Sequence, residues 1–312
     1  MTDLSDDITS IATDADNIIQ NFQLDNSSLR GRMVRLGREL DDIITSHEYP
    51  EIVNQLVSET LVVAVSLASM LKYEGIFTLQ IQTSGPITML VADKTSAGHI
   101  RACASYNQED LDTLLNGRKI DELSLEELLG KGHMAFTVDQ GPDTERYQGI
   151  VELKGQTLVE SVQHYFNQSE QIGSGIKMAC AKVDDHWRAS VIMLQHMPED
   201  QANIQAGSGN AIEDDWRRTM ILLETCTEEE LISPELDAPA LLFRLFHEEG
   251  LRIFEPKFVK KKCRCEKERL VGAVRMMPQD DIDHIFDEDS AELKCEFCSK
   301  VYTITKDDLN SQ

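Results

Sequence analysis

Four cysteines in two tight pairs constrain this chain more than any other feature: Cys263-Arg264-Cys265 and Cys295-Glu296-Phe297-Cys298, with 29 residues between the pairs. Two short knuckles supply four thiolates, the number that closes a tetrahedral metal site. Soft thiolate ligands favour zinc over the hard cations, so the pattern reads as a Cys₄ zinc site. A four-thiolate shell leaves no open position for an activated water, which argues against zinc hydrolysis. The CxC knuckle is narrower than the CxxC spacing usual in structural zinc ribbons. Lys260, Lys261, Lys262, Arg264, Lys267 and Arg269 surround it. Either these cations favour the thiolates and depress their pKa values, or they form a solvated basic face.

The zinc reading sets the terms on which residues 259–312 fold. This stretch carries two short helical patterns, 266–277 and 280–286, and is too small to build much of a core. Structural zinc in small modules supplies roughly 10–16 kcal/mol of apparent folding free energy. A structure stable by only about 5–15 kcal/mol does not survive that loss, so oxidising the thiols should unfold the module.

The chain as a whole has 312 residues, 41% of them hydrophobic, enough for one large domain or two to three smaller ones. Its net charge of −25 disfavours nucleic acids and anionic membranes as partners, since both demand a cationic footprint. Asp3, Asp6 and Asp7 stand where a signal peptide carries its positive region, and the longest apolar run, 61–71, is too short to span a bilayer. The expectation is a soluble, cytoplasmic protein with reduced thiols, in which a four-cysteine cluster means metal or redox chemistry rather than a structural disulfide.

Residues 1–197 alternate helical and strand patterns. Pro50 opens a helix running towards Leu71, with Gly75 as its stop. Phe77 to Gln82 alternate strictly, turn at Gly85-Pro86 and return as an apolar run over 87–91, a hairpin signal. A second strand pair brackets the turn Gln140-Gly141-Pro142-Asp143, with 134–138 before it and 147–153 after it. Thr157 can cap a helix reaching Phe166, and strand-like runs lie at 176–183 and 189–194, the second of them preceded by Trp187. The fold class that follows is α+β: an antiparallel-sheet core domain with helices.

Composition changes at Pro198. From there to Phe258 there are 14 acidic and 5 basic residues, about nine negative charges in excess, and a flexible Gly207-Ser208-Gly209 bend. Yet Ile212, Trp216, Met220 and Leu223 recur at helical spacing, and Pro239 opens a second apolar cluster stopped by Gly250. Residues 198–258 read as a metastable helical linker between the core domain and the small Cys₄ zinc domain of 259–312. Two ordinary helices packed on the core are the alternative, and on the linker reading they pack only while something else braces them.

Along nearly its whole length the chain resembles the redox-regulated holdase chaperones of the 33-kilodalton heat-shock protein family. The likeness lies in Gln80-Ile81-Gln82 leading to Gly85-Pro86, in Glu145-Arg146-Tyr147-Gln148-Gly149-Ile150-Val151, in Tyr165-Phe166-Asn167-Gln168-Ser169-Glu170-Gln171, in Leu245-Phe246-His247-Glu248-Glu249, and in the cysteine spacing. The resemblance implies that Cys263, Cys265, Cys295 and Cys298 are the zinc ligands. It implies that under oxidising stress they pair as Cys263-Cys265 and Cys295-Cys298 and give up the metal. Unfolding of the linker, ATP-independent binding of unfolding client proteins and a homodimer in the oxidised state are further implications. No GxxxxGK[ST] phosphate loop is present, in keeping with independence from ATP.

Cys103, Cys180 and Cys226 match no family ligand and read as buried or incidental thiols. His247-Glu248-Glu249 lacks the second histidine of a HExxH zinc helix, and no catalytic constellation can be proposed, so the reading is that the chain is not an enzyme. A second function class stays open: a zinc-ribbon interaction module gripping RNA or a protein through the basic run 260–269 in the reduced, zinc-loaded state. The acidic balance and the linker favour the chaperone.

Overall fold

A computed structural model describes residues 16–141, 144, 146–166, 173–196, 210–286 and 289–310. Asp3, Asp6, Asp7, Pro142, Asp143, Glu145, the stretch 167–171, Pro198 and the Gly207-Ser208-Gly209 bend lie outside the described residues. The chain divides into two compact units, 1–261 and 262–312.

Unit 1 is built on two six-stranded sheets. The first contains β1 (Ile18–Leu24), β2 (Leu29–Leu36), β8 (Ser174–Val183), β9 (His186–His196), β10 (Leu251–Ile253) and β11 (Lys257–Phe258). Its order is β10-β1-β2-β9-β8, with β11 also on β1, and every pairing is antiparallel. The second contains β3 (Ile76–Thr83), β4 (Ile87–Thr95), β5 (His99–Tyr106), β6 (Gly132–Asp139), β7 (Tyr147–Glu152) and β12 (Lys260–Lys261), in the order β12-β5-β4-β3-β6-β7. The α+β class with antiparallel sheets is as expected; only β12, on β5, pairs parallel. Because β11 and β12 pair with these sheets, unit 1 reaches Lys261, three residues beyond the composition boundary at Phe258.

After α1 (Arg38–Ile44), the helix α2 (Glu51–Ala68) occupies the space between the two sheets. Ile52, Val53, Leu56, Val57, Leu61 and Val65 pack into one cluster with Val34 and Val191 of the first sheet and Leu79, Leu90 and Phe136 of the second. Among the described residues α2 alone is long and apolar enough to cross a membrane, but 78% of that stretch is buried inside the protein, so its apolarity is that of a core helix. It starts where Pro50 predicts and stops sooner than predicted. After Ala68 the amides of Met70 and Leu71 turn back to the carbonyls three residues earlier, which tightens and ends the helix. Gly75 is not the stop. It has φ +132° at the start of β3, where a Cβ would lie 2.1 Å from the Asp139 carbonyl oxygen, so glycine is needed for close strand approach.

Both predicted hairpins form, β3-β4 and β6-β7, and the alternation in β3 buries Phe77, Leu79 and Ile81. The short helices α3 (Gln108–Leu115) and α4 (Leu125–Leu129) precede β6. The helix α5 (Leu158–Tyr165) is capped by Thr157, whose hydroxyl accepts from the Glu160 amide at 3.1 Å.

The described part of the acidic segment, 210–258, is mostly helical, and its helices pack on the first sheet within unit 1. It forms α6 (Asn210–Glu224), α7 (Glu228–Ile232) and α8 (Ala238–Phe246), the last started by Asp237 and Pro239 and closed at left-handed Gly250, φ +70°. Leu223, Leu231, Leu241, Leu242, Leu245 and Phe246 cover the face of the first sheet opposite α2, against Phe22, Leu24, Leu29, Met33, Ile192 and Leu194. The first sheet is therefore buried on both faces, which explains why its strands lack clean alternation.

Unit 2 contains α9 (Lys267–Arg275), α10 (Gln279–Ile285), the antiparallel pair β13 (Ser290–Lys294) and β14 (Val301–Thr305), and α11 (Lys306–Asn310). Its core is small: Val271, Val274, Phe286, Ala291 and Ile304.

Candidate metal centre

Each cysteine pair sits on a rigid local device. Cys295 to Cys298 form the turn between β13 and β14, where the Cys295 amide donates to the Lys300 carbonyl at 2.9 Å and the Ser299 amide to the Cys295 carbonyl at 2.8 Å. Ser299 completes the turn at φ +57°. Cys263 and Cys265 lie in the extended segment before α9. All four sulfurs fall within 4.8 Å of one another, with Cys263 Sγ 3.7 Å from Cys295 Sγ and Cys265 Sγ 3.4 Å from Cys298 Sγ. Thiolates around one zinc at about 2.3 Å form a tetrahedron with edges of about 3.8 Å, so the donor set fits a single metal ion. Among the described residues these four are the one group of three or more His, Cys, Asp and Glu side chains able to hold a metal.

The thiols do not titrate alike. Burial pushes Cys263 up, but the Cys265 backbone N–H and the neighbouring thiols donate to it and bring it down to about 7. Burial pushes Cys295 and Cys298 up. The dominant influences are burial and short-range hydrogen bonds rather than the basic run. Lys267 is engaged by Asp308 at 2.7 Å, and the Lys261 ammonium in unit 1 donates to the Asp42 carbonyl while its backbone N–H donates to the Glu39 carboxylate.

Tyr302 belongs to the site and has no local sequence signal. Its hydroxyl lies 3.1 Å from the Cys265 carbonyl oxygen and 3.3 Å from Cys265 Sγ, and that hydrogen bond raises the phenol's pKa. Lys300 Nζ sits 4.6 Å over its ring. Cys103 and Cys226 are buried and Cys180 half-buried, all in unit 1, and burial raises Cys226 to about 11 and Cys180 further. Cys103 and Cys226 are the buried thiols the sequence suggests, and none of the three joins the four-cysteine cluster.

The covering helices are fastened by polar contacts. Arg218 donates from Nε and Nη2 to both oxygens of buried Glu249, at 2.7 and 2.9 Å, and Ser27 of the β1-β2 turn donates to the same carboxylate at 3.0 Å. Arg35, buried on β2, donates to the carbonyls of Ser233 and Leu236, and Arg188 to that of Ile232 at 2.7 Å. Glu249 is thus a structural carboxylate, and its apparent likeness to a zinc-protease motif ends there. Trp216 of α6 is half-buried and stacks on His196 at 4.5 Å.

A two-sheet α+β unit followed by a small unit that clusters four cysteines defines a distinctive class of protein, and the comparisons with known proteins fall within it. Residues 17–305 match the family described as Hsp33 protein. The 33 kDa chaperonin of Caulobacter vibrioides is 34% identical over 305 residues, covering 95% of this chain and 98% of that protein. That of Vibrio cholerae is 32% identical over 292 residues, covering 93% and 92%. The crystal structure of the 33 kDa chaperonin from Thermotoga maritima shares the fold, with a TM-score of 0.75 at 19% identity over 94% of this chain and 96% of that one. The chain belongs to the Hsp33 family of chaperones. Its relatives carry the name of a chaperonin and not that of an enzyme.

Proposed function

We propose that this protein is a redox-regulated, ATP-independent holdase of the cytoplasm that binds unfolding client proteins when oxidised, pairs as a homodimer in that state, and catalyses no reaction. Cys263, Cys265, Cys295 and Cys298 hold one zinc ion in reduced protein. When bound, the ion supplies the folding free energy that the five-residue core of unit 2 lacks. Under peroxide, Cys263 pairs with Cys265 and Cys295 with Cys298. Each pair of thiolates gives two electrons to one peroxide, which takes two protons from solvent, so that one S–S bond and two waters form and no thiolate remains to ligate a metal. Loss of the folded 259–312 domain removes the brace on residues 198–258, whose excess of about nine negative charges and chain entropy then favour release from the 1–197 core.

The observation that carries this reading is the apolar face beneath α6 to α8. Phe22, Leu24, Leu29, Met33, Ile192 and Leu194 form one contiguous surface that only the acidic segment covers among the described residues. Released helices would present it, together with their own apolar stripe, to a partly unfolded protein. The test is zinc content and suppression of a client's aggregation on one sample, before and after peroxide or hypochlorite with mild heat. The expected result is reversible zinc loss, two disulfides and activity only after oxidation. Activity that is equal in the reduced, zinc-loaded protein, or salt-sensitive RNA binding confined to that form, would contradict it.

A further inference from the structure

The face of the first sheet that meets α2 changes character along its strands. Ile19, Val34 and Val191 form an apolar row, the next row is Asn21, Arg32 and Met193, and the one after is Gln23, Arg30, Gln195 and Ser174. Within these two polar rows Asn21 Oδ1, Arg30 Nε, Gln195 Nε2 and Ser174 Oγ are buried with no hydrogen-bond partner. Arg32 is 8% exposed, and its hydrogen bond runs from Nη1 to Gln195 Oε1 at 3.4 Å. Burial, and then the charge of Arg30, lowers Arg32 to about 10. The contrast with nearby arginines is direct. Arg35 and Arg188 both pair with Asp16, whereas Arg30 and Arg32 meet no carboxylate among the described residues. Sheltered guanidinium groups without an anion are costly, and orphaned polar atoms beside them mark an incomplete site.

Arg30 also lines a cavity of about 290 Å³ whose other walls include Leu67, Met70, Phe77, Phe136, Tyr165 and Phe166. An apolar groove with a fork-shaped cation in its wall fits one ligand chemistry: an alkyl chain of medium length ending in a carboxylate. A small inorganic anion would leave the groove unfilled, and an uncharged chain would leave the cations unpaired.

We propose that this groove binds a medium-chain fatty-acid-like carboxylate, with the alkyl chain along Leu67, Met70, Phe77 and Phe136 and the carboxylate on Arg30, Arg32 lying next to it on the same sheet face. The site is independent of the redox chemistry of unit 2 and should load in reduced protein.

Titration calorimetry of the reduced full chain with decanoate, octanoate and decanol tests it. Expected is one saturable decanoate site per chain, octanoate weaker by about fourfold per missing methylene, and decanol at least about tenfold weaker. Arg30→Gln, checked for an unchanged near-ultraviolet circular dichroism spectrum, should weaken decanoate about tenfold and leave decanol unchanged. Equal affinity for decanoate and decanol, unsaturable uptake of many molecules, or an Arg30→Gln variant that binds decanoate like the parent would overturn the proposal.

Discussion

The two faces of the first sheet are buried by different means. Towards α2, Val34 and Val191 pack on a helix that is itself buried along 78% of its apolar stretch and enclosed by a second sheet. On the opposite face, Phe22, Leu24 and Ile192 pack on α6 to α8, which show Ile221 and Phe243 to solvent, 61% and 62% exposed, and are fastened at their edges by Arg35, Arg188 and the Arg218-Glu249-Ser27 contact. A helix with sheets on two sides cannot leave without dismantling the core. Amphipathic helices on one open face can leave together while the strands stay paired. Equal burial therefore does not mean equal permanence, and the account places the reversible part of the molecule on the second face.

The largest effect that would sharpen this contrast comes from the cysteines. On the proposed zinc reading, Cys265→Ser removes one thiolate from a site whose metal would supply roughly 10–16 kcal/mol. The expected outcome is weak zinc binding and a protease-sensitive 262–312 even in reductant. Full zinc occupancy with unchanged proteolytic resistance would remove Cys265 from the ligand set.

Truncation within the two faces comes next. Leu61→Ala on α2 and Phe246→Ala on α8 both delete fully buried groups, at about 2–5 and 3–5 kcal/mol respectively. Limited proteolysis and circular dichroism should separate them. Leu61→Ala lowers the global melting temperature, whereas Phe246→Ala mainly opens the helical stretch 210–250 to protease while β1, β2, β8 and β9 stay paired. If both variants melt as one unit with no early cleavage, the faces are equally permanent and the comparison fails.

A smaller effect of about 1 kcal/mol is expected from Glu249→Gln, which weakens the contact with Arg218. Arg218, opposed by burial and helped by Ser27, holds the Glu249 carboxyl below its ordinary value. A carboxylate depressed in the folded state adds stability above its unfolded pKa, about 4.3, and that stability is lost as pH falls through the folded value. The parent's covering helices should therefore loosen in acid. Glu249→Gln should be looser at neutral pH, begin to approach the parent as pH falls through about 4.3, and converge with it only below the depressed folded value. Hydrogen exchange on α6 across that range checks both.

Much of this was legible locally. Thr157, Pro239 with Gly250, and the alternation of β3 each announce an element because the signal lies within a few residues. The four cysteines announced their cluster because ligand spacing is itself sequence information. Other parts depend on distant partners. β1 and β2 draw no expectation from the sequence, since burial on both faces suppresses alternation and Arg30, Arg32 and Arg35 interrupt the apolar run. Tyr302 reaches Cys265 across 37 positions, and nothing near it in sequence marks that contact. Composition marked 198–258 as unusual, but the strand face under its described helices is fixed by tertiary packing alone.

The central claim, that loss of zinc releases the cover on the second face, is tested most directly by the Trp187→Phe variant. Trp187 is buried in the α2 cluster, so its replacement leaves Trp216, stacked on His196, as the one tryptophan. Oxidation should release zinc, shift Trp216 emission to the red and open the helical stretch 210–250 to protease while β1, β2, β8 and β9 stay paired, and reduction with zinc should reverse all three. Unchanged Trp216 emission and unchanged cleavage after both disulfides have formed would contradict the account.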